Sequence, residues 1–113
     1  MEITRKDKLL KLKKKKLGNV KLVKAIDKLI NDIENSEWKD KTDLLKSRPD
    51  ADRVHSDDFF FFDINIHRTM ILILFKEQEA EILWVGNHSE YDNIFKGNKH
   101  TIETWLRNYG KIK

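Results

Sequence analysis

The 113-residue chain has no cysteine, one proline and only four glycines. Without cysteine it has no disulfide framework and no thiol nucleophile, which removes the stapled folds of oxidising compartments and the cysteine hydrolases. Its longest apolar run, residues 70–75, is far shorter than the roughly 20 residues needed to span a bilayer. The first residues lack a signal peptide's apolar stretch, because Leu9 and Leu10 are flanked by lysines, so the expected location is cytoplasmic with no membrane partner. Glycine-rich phosphate loops, the dinucleotide fingerprint and paired-histidine zinc motifs are also missing. A chain of this size buries about two-thirds of its unfolded surface, enough for one core, and residues 1–113 are expected to form a single domain.

What is abundant is charge, and it is unevenly spread. The formal net charge is +4, yet residues 1–24 hold ten basic and two acidic side chains, a net of +8, so the remainder carries −4. Three readings of the lysine block are open. It is a solvated helix face, a footprint for nucleic-acid phosphates, or a membrane-surface helix. The last is weakest, because its apolar residues are leucines with no aromatic anchor.

Apolar periodicity organises the rest. Leu9, Leu10, Leu12 and Leu17 among lysines predict a helix over 5–16, with Thr4 and Asp7 at capping-box spacing. After Gly18-Asn19, a stripe of Leu22, Val23, Ile26, Leu29, Ile30 and Ile33 predicts a second helix, making a basic helical hairpin over 1–36. A short helix over 38–46 should end at Arg48-Pro49-Asp50. Three runs rich in β-branched and aromatic residues follow, 59–64, 69–75 and 80–85, and predict antiparallel strands within 58–86. Their connections are a hairpin loop over 76–79 and a tighter turn over 65–68. Ser89 and Asp92 have capping-box spacing, and Ile102, Trp105, Leu106 and Tyr109 form a stripe, so 88–109 reads as a C-terminal helical segment. Helices, then strands, then helix predict an α+β fold with helices packed on one face of a small antiparallel sheet.

Polar residues capable of chemistry gather at the predicted strand ends: His67, Arg68, Asn87, His88, Glu90, Tyr91 and Asp92. Histidine exchanges protons near neutral pH, tyrosine donates a hydrogen bond, and arginine neutralises phosphoryl oxygens. RNA cleavage by its own 2′-hydroxyl needs those functions and neither metal nor cofactor. The bland alternative stays open: His88 and Ser89 cap a helix, Tyr91 packs on the sheet edge, His67 is a turn residue and Arg68 is solvated at a hairpin. His55 and His100 stand alone in polar surroundings and read as surface residues. Asp50/Asp52 and Asp57/Asp58 read as turn-shaping carboxylates in loops. Of the four phenylalanines 59–62, two should enter the core and two a helix- or partner-covered face, in preference to an RNA-stacking platform.

Several segments resemble the HigB-type toxins of bacterial type II toxin–antitoxin systems, within the RelE-like ribosome-dependent mRNA interferases. They are Glu37-Trp38, Arg48-Pro49-Asp50-Ala51-Asp52-Arg53-Val54, Phe62-Asp63-Ile64 and above all Val85-Gly86-Asn87-His88-Ser89-Glu90-Tyr91-Asp92, where the family typically reads Val-Gly-Thr-His-x-Glu-Tyr-Asp. Residues 95–107 look like the C-terminal extension of one branch. The resemblance implies a RelE-like fold with N-terminal helices on a small antiparallel sheet and a C-terminal helix. It implies cleavage of translated mRNA on the ribosome and inhibition of translation. Neutralisation would come from a cognate HigA-like antitoxin with a helix-turn-helix domain, operator DNA being contacted only through that antitoxin. Carried over, His88 and Tyr91 fall at positions near the chemistry and Glu90 and Asp92 at its acidic positions, while Asn87 replaces the usual threonine. Many members place a glycine-rich turn and an arginine after the Phe-Asp-Ile strand; here 65–70 lacks the glycines and an ungapped register puts Met70 at that arginine. Arg68 is the permanent cation nearby, so the expected catalytic set is Arg68, His88 and Tyr91. The expected RNA or ribosome contacts are Lys11, Lys13, Lys14, Lys15, Lys16, His67 and Glu90, with no metal ligand. A rival reading is a non-enzymatic RNA- or protein-binding regulatory module, which a neighbouring helix-turn-helix gene would disfavour.

Overall fold

A computed structural model describes residues 1–55 and 58–113, and the pair Asp57/Asp58 therefore lies partly outside the described residues. In chain order the elements are β1 (Glu2–Thr4), α1 (Asp7–Lys15), α2 (Val20–Glu34), α3 (Lys41–Ser47), β2 (Asp52–His55), β3 (Phe59–Ile64), β4 (His67–Leu74), β5 (Glu79–Asn87), α4 (His88–Phe95) and α5 (Lys99–Asn108). The α+β class stands. The sheet, however, is five-stranded and mixed, in the order β1-β5-β4-β3-β2, because β1 pairs in parallel with β5 while the other pairings are antiparallel.

Alternation along the phenylalanine run decides how the layers form. Phe60 and Phe62 enter a core with Leu9, Leu22, Ile26 and Leu44, whereas Phe59 and Phe61 enter another with Met70, Leu83, Phe95 and Leu106. All four are buried, so none offers a stacking platform for RNA bases. The expectation of helices on a single face is corrected accordingly: α1 to α3 cover one face of the sheet, and α4 and α5 cover the other.

Local chemistry corrects the element boundaries. The Thr4/Asp7 box does not form, since Thr4 ends β1, Arg5 turns the chain at φ 58° and Lys6 at the helix start makes no side-chain cap. Asn19 does cap α2, accepting from the Leu22 N–H. The β3–β4 turn is only Asn65-Ile66, with asparagine at φ 63°, a left-handed value it tolerates, so His67 and Arg68 already belong to β4. Residues 88–109 are two helices, because Lys96 and Gly97 both turn left-handed and Asn98 caps α5.

Arg48 is the buried hub on the α3 side, 7% exposed. It donates to Asp32 at 3.2 Å, to Asp50 at 2.8 Å and to the Asp63 carbonyl at 3.2 Å, with its guanidinium over the Phe62 ring. Asp50 also accepts from the Asp63 N–H at 3.0 Å. Asp50 is therefore a partner of Arg48 and does not share a turn with Asp52, which is exposed on β2. His55 is likewise no simple surface residue: it is half-buried, edge-on to Phe59, with Nε2 3.9 Å from Glu103. His100 is exposed.

Candidate active site

The site forms where β4 begins, β5 ends and α4 starts. His67 pairs with Asn87 and Arg68 with Gly86 across the two strands, and α4 follows β5 without a loop. Asn87 makes this junction possible. Its side chain accepts from the Glu90 N–H at 2.8 Å while Glu90 accepts from the Asn87 N–H at 3.0 Å, a reciprocal capping box. The expected Ser89/Asp92 box is thus displaced two residues upstream, onto a position where threonine would also cap.

Because consecutive strand residues point to opposite faces, Arg68 and His67 part company. Arg68 turns toward α4. Its Nε donates to Asp63 at 3.0 Å, and its guanidinium lies 4.9 Å from the Tyr91 ring centre and 5.2 Å from that of Phe61. Tyr91 is held in turn by Phe61, Trp84 and Phe95. Gly86 has a specific role beneath this stack: a Cβ there would stand 2.4 Å from the Trp84 ring, so only glycine lets that indole lie where it supports Tyr91. Among the described residues, Arg68's two terminal nitrogens have no hydrogen-bond partner, leaving a planar fork suited to phosphoryl oxygens. The Asp63 carboxylate that orients it is itself fixed through the Asp63 backbone, which Asp50 and Arg48 hold.

His67 turns the other way, into a cleft of about 200 Å3 lined by Lys8, Lys11, Leu12, Lys15, Val85, Gly86 and Glu90. It is 6% exposed, and its Nδ1 has no partner among the described residues. Burial pulls its pKa below the ordinary imidazole value; the positive charges of Lys16 and His88 add to that, and Glu90 opposes it. His88, exposed at the first position of α4, stands at the rim between the two sides. It lies one helical turn from Tyr91 and so shares its face, and its charge is also felt by His67.

Arg68, Tyr91 and His88 are therefore brought to one end of the sheet, while His67 and Glu90 reach the cleft behind it. The lysine block divides. Lys11 and Lys15 line the cleft, Lys13 is paired with Asp27 at 2.7 Å, and Lys14 and Lys16 are exposed. Sequence reasoning missed Lys8, which donates to the Leu83 carbonyl and the Tyr109 hydroxyl, each at 2.9 Å. Its position three and seven residues before Lys11 and Lys15 was the available signal, since that spacing puts all three on one helix face. Asp63 and Gly86 were also missed as site residues, although both lie in segments that carry the resemblance; what gives Asp63 its place is its register opposite Arg68, which the structure supplies.

A comparison with curated proteins finds no match. A family model, described as HigB toxin, the RelE-like toxic component of a toxin–antitoxin system, matches residues 22–94. That span runs from α2 through α4, includes His67, Arg68, His88, Glu90 and Tyr91, and leaves α1 and α5 outside. With well over half of its length matched, the chain belongs to the HigB toxin family.

Proposed function

We propose that this toxin is a ribosome-dependent endoribonuclease that cleaves translated mRNA through side-chain acid/base chemistry and so inhibits translation. The observation that carries the reading is the Arg68 guanidinium seated on Tyr91 with its terminal nitrogens open, Tyr91 standing one turn after His88 in the same helix. In the reaction the 2′-hydroxyl attacks the adjacent phosphorus and loses its proton, and the 5′-oxygen leaves as that bond breaks and gains one. The products are a 2′,3′-cyclic phosphate and a 5′-hydroxyl end. Arg68 stabilises charge on the non-bridging oxygens, His88 serves proton transfer, and Tyr91 orients or donates to the phosphate. The sheet end supplies a rigid base for these groups, and the basic α1 supplies attraction for RNA.

A toxin of this kind has a cognate antitoxin; we propose one of HigA type whose helix-turn-helix domain makes all contact with operator DNA. No helix among the described residues is long and apolar enough to cross a membrane, and the substrate and ribosome place the action in the cytoplasm. The test is induced expression of wild type, His88→Ala and Arg68→Ala, with primer extension on translated mRNA. Cleavage by wild type and its loss in both variants is expected; unchanged cleavage in both variants removes these residues from the mechanism.

A further inference from the structure

We propose that the cleft between α1 and the end of the sheet is a second phosphoryl-oxyanion site, in which Lys11 and Lys15 supply charge and His67 a hydrogen bond. It is separate from the Arg68–Tyr91 stack, because Arg68 and His67 face opposite sides of β4. Its assignment to the backbone of the RNA cut at Arg68 rests on the function proposed above; the oxyanion site itself does not.

Three observations converge. First, Lys8, Lys11 and Lys15 project from one face of α1 into the same small space, an arrangement of like charges that is unfavourable unless an anion joins it. Lys8 is held by neutral partners, the Leu83 carbonyl and the Tyr109 hydroxyl, so its charge is not cancelled. Lys11 and Lys15 have no ion pair among the described residues. The opposing carboxylate, Glu90, accepts from the neutral Asn87 N–H and keeps its charge, so it offsets one of the three ammonium groups and leaves the cleft with a net of +2 (three lysines less one glutamate). Second, His67 lines this cleft more than nine-tenths buried, with Nδ1 lacking any partner among the described residues. A buried polar group left unsatisfied calls for a reason, and a ligand is the one that cationic surroundings supply. Third, at about 200 Å3 the cleft is smaller than the roughly 300–1,000 Å3 pockets of drug-sized ligands, which suits one compact anion.

The charge balance also sets a pH dependence. The groups facing His67 are Lys8, Lys11 and Lys15 on α1, Lys16 just beyond it, and His88 and Glu90 on α4. Burial, together with Lys16 and His88, disfavours the protonated imidazole in the free protein against the pull of Glu90. An oxyanion in the cleft favours the protonated ring, so binding takes up a proton and tightens as pH falls.

The test is NMR on the isotopically labelled full chain, titrated with inorganic phosphate and, separately, with a 2′-O-methyl oligoribonucleotide that resists cleavage. Both should move the His67 ring signals saturably and raise its titration midpoint. In a Lys11→Gln/Lys15→Gln variant, altered only on the exposed rim, phosphate should no longer move them. Removing one neutralised phosphate should also flatten the logarithmic salt slope of oligonucleotide binding by about 0.7, a factor of about 2.6 between 50 and 200 mM salt. His67 signals unmoved by both ligands, or a variant that responds like wild type, overturns the site. A response to phosphate but not to the oligonucleotide keeps the oxyanion site and overturns its RNA assignment. If wild type responds but never cuts translated mRNA, the nuclease reading fails and the cleft stands; if it cuts mRNA with no His67 response, the reverse holds.

Discussion

Replacing Arg48 by alanine removes a buried cation that joins α2, the end of α3 and β3. Its guanidinium, 7% exposed, holds Asp32 and Asp50 and the Asp63 carbonyl within 2.8–3.2 Å. Deleting one partner of a buried ion pair typically costs about 3–5 kcal/mol, since the remaining charges are left uncompensated. Here the side chains of Asp32 and Asp50 are 19% and 27% exposed and recover some hydration, which puts the expected loss near the lower end, about 3 kcal/mol. For a domain of this size, holding roughly 6–17 kcal/mol in all, that is a substantial fraction. Arg48→Lys keeps the charge, but its single nitrogen cannot stand at both places from which Nη1 meets Asp32 and Nη2 meets Asp50 and the Asp63 carbonyl, so it should fall between wild type and alanine. Urea unfolding reads this as a drop in midpoint of roughly 1–3 M with little change in slope. The same variant should lower mRNA cleavage under conditions where it is still folded, because Asp63, which orients Arg68, loses its anchor. A loss under 1 kcal/mol would mean that these pairs behave like ordinary surface bridges, and the chain of support from Arg48 to Arg68 would be refuted.

Two further outcomes follow from the geometry around the site. Gly86→Ala puts a methyl 2.4 Å from the Trp84 ring, so the indole must shift; overpacking of this kind costs about 1–3 kcal/mol in denaturant unfolding, and the Tyr91 ring signals should move in NMR, whereas an unperturbed Tyr91 would show that Trp84 does not support it. His67 has its pKa lowered in the folded chain by burial, with Lys16 and His88 adding and Glu90 opposing. The unfolded state therefore binds more protons: the stability gained by keeping this ring neutral is full above about pH 6.5 and is lost as pH falls below it. Comparing urea unfolding at pH 7.5 and 5.5 should show a larger loss in wild type than in His67→Gln; equal losses would contradict the sign.

The elements legible in the sequence were those whose apolar pattern is local. The α2 stripe shows its period within one turn, and the Phe59–Ile64 strand shows itself by its run of aromatic residues rather than by alternation. β1 was not legible, since Glu2-Ile3-Thr4 is too short to alternate and its partner, β5, lies some 75 residues on. β2 reads as a polar loop because Asp52 and Arg53 are exposed at the sheet edge. The placement of C-terminal helices on the opposite face depends on which phenylalanines point where, and an unbroken Phe run hides that. At the site, His88, Glu90 and Tyr91 were readable as a cluster, but the Ser89–Asp92 spacing points to the wrong capping box, and only the strand-to-helix junction selects Asn87 and Glu90. Assigning His67 and Arg68 to a turn concealed their separation onto two faces. Lys8 was hidden for a different reason: its partners Leu83 and Tyr109 are 75 and 101 residues away in sequence.

The decisive experiment is reconstitution of purified protein with ribosomes translating a defined mRNA, reading the termini of any fragments. Wild type should release fragments ending in a 2′,3′-cyclic phosphate and a 5′-hydroxyl. Arg68→Ala should slow this by about 10²–10³, the usual effect of deleting one donor to developing charge, while leaving the fold intact, since Asp63, its ion-pair partner, is half exposed. Intact mRNA with wild type, or fragments released equally fast by Arg68→Ala, would contradict the account.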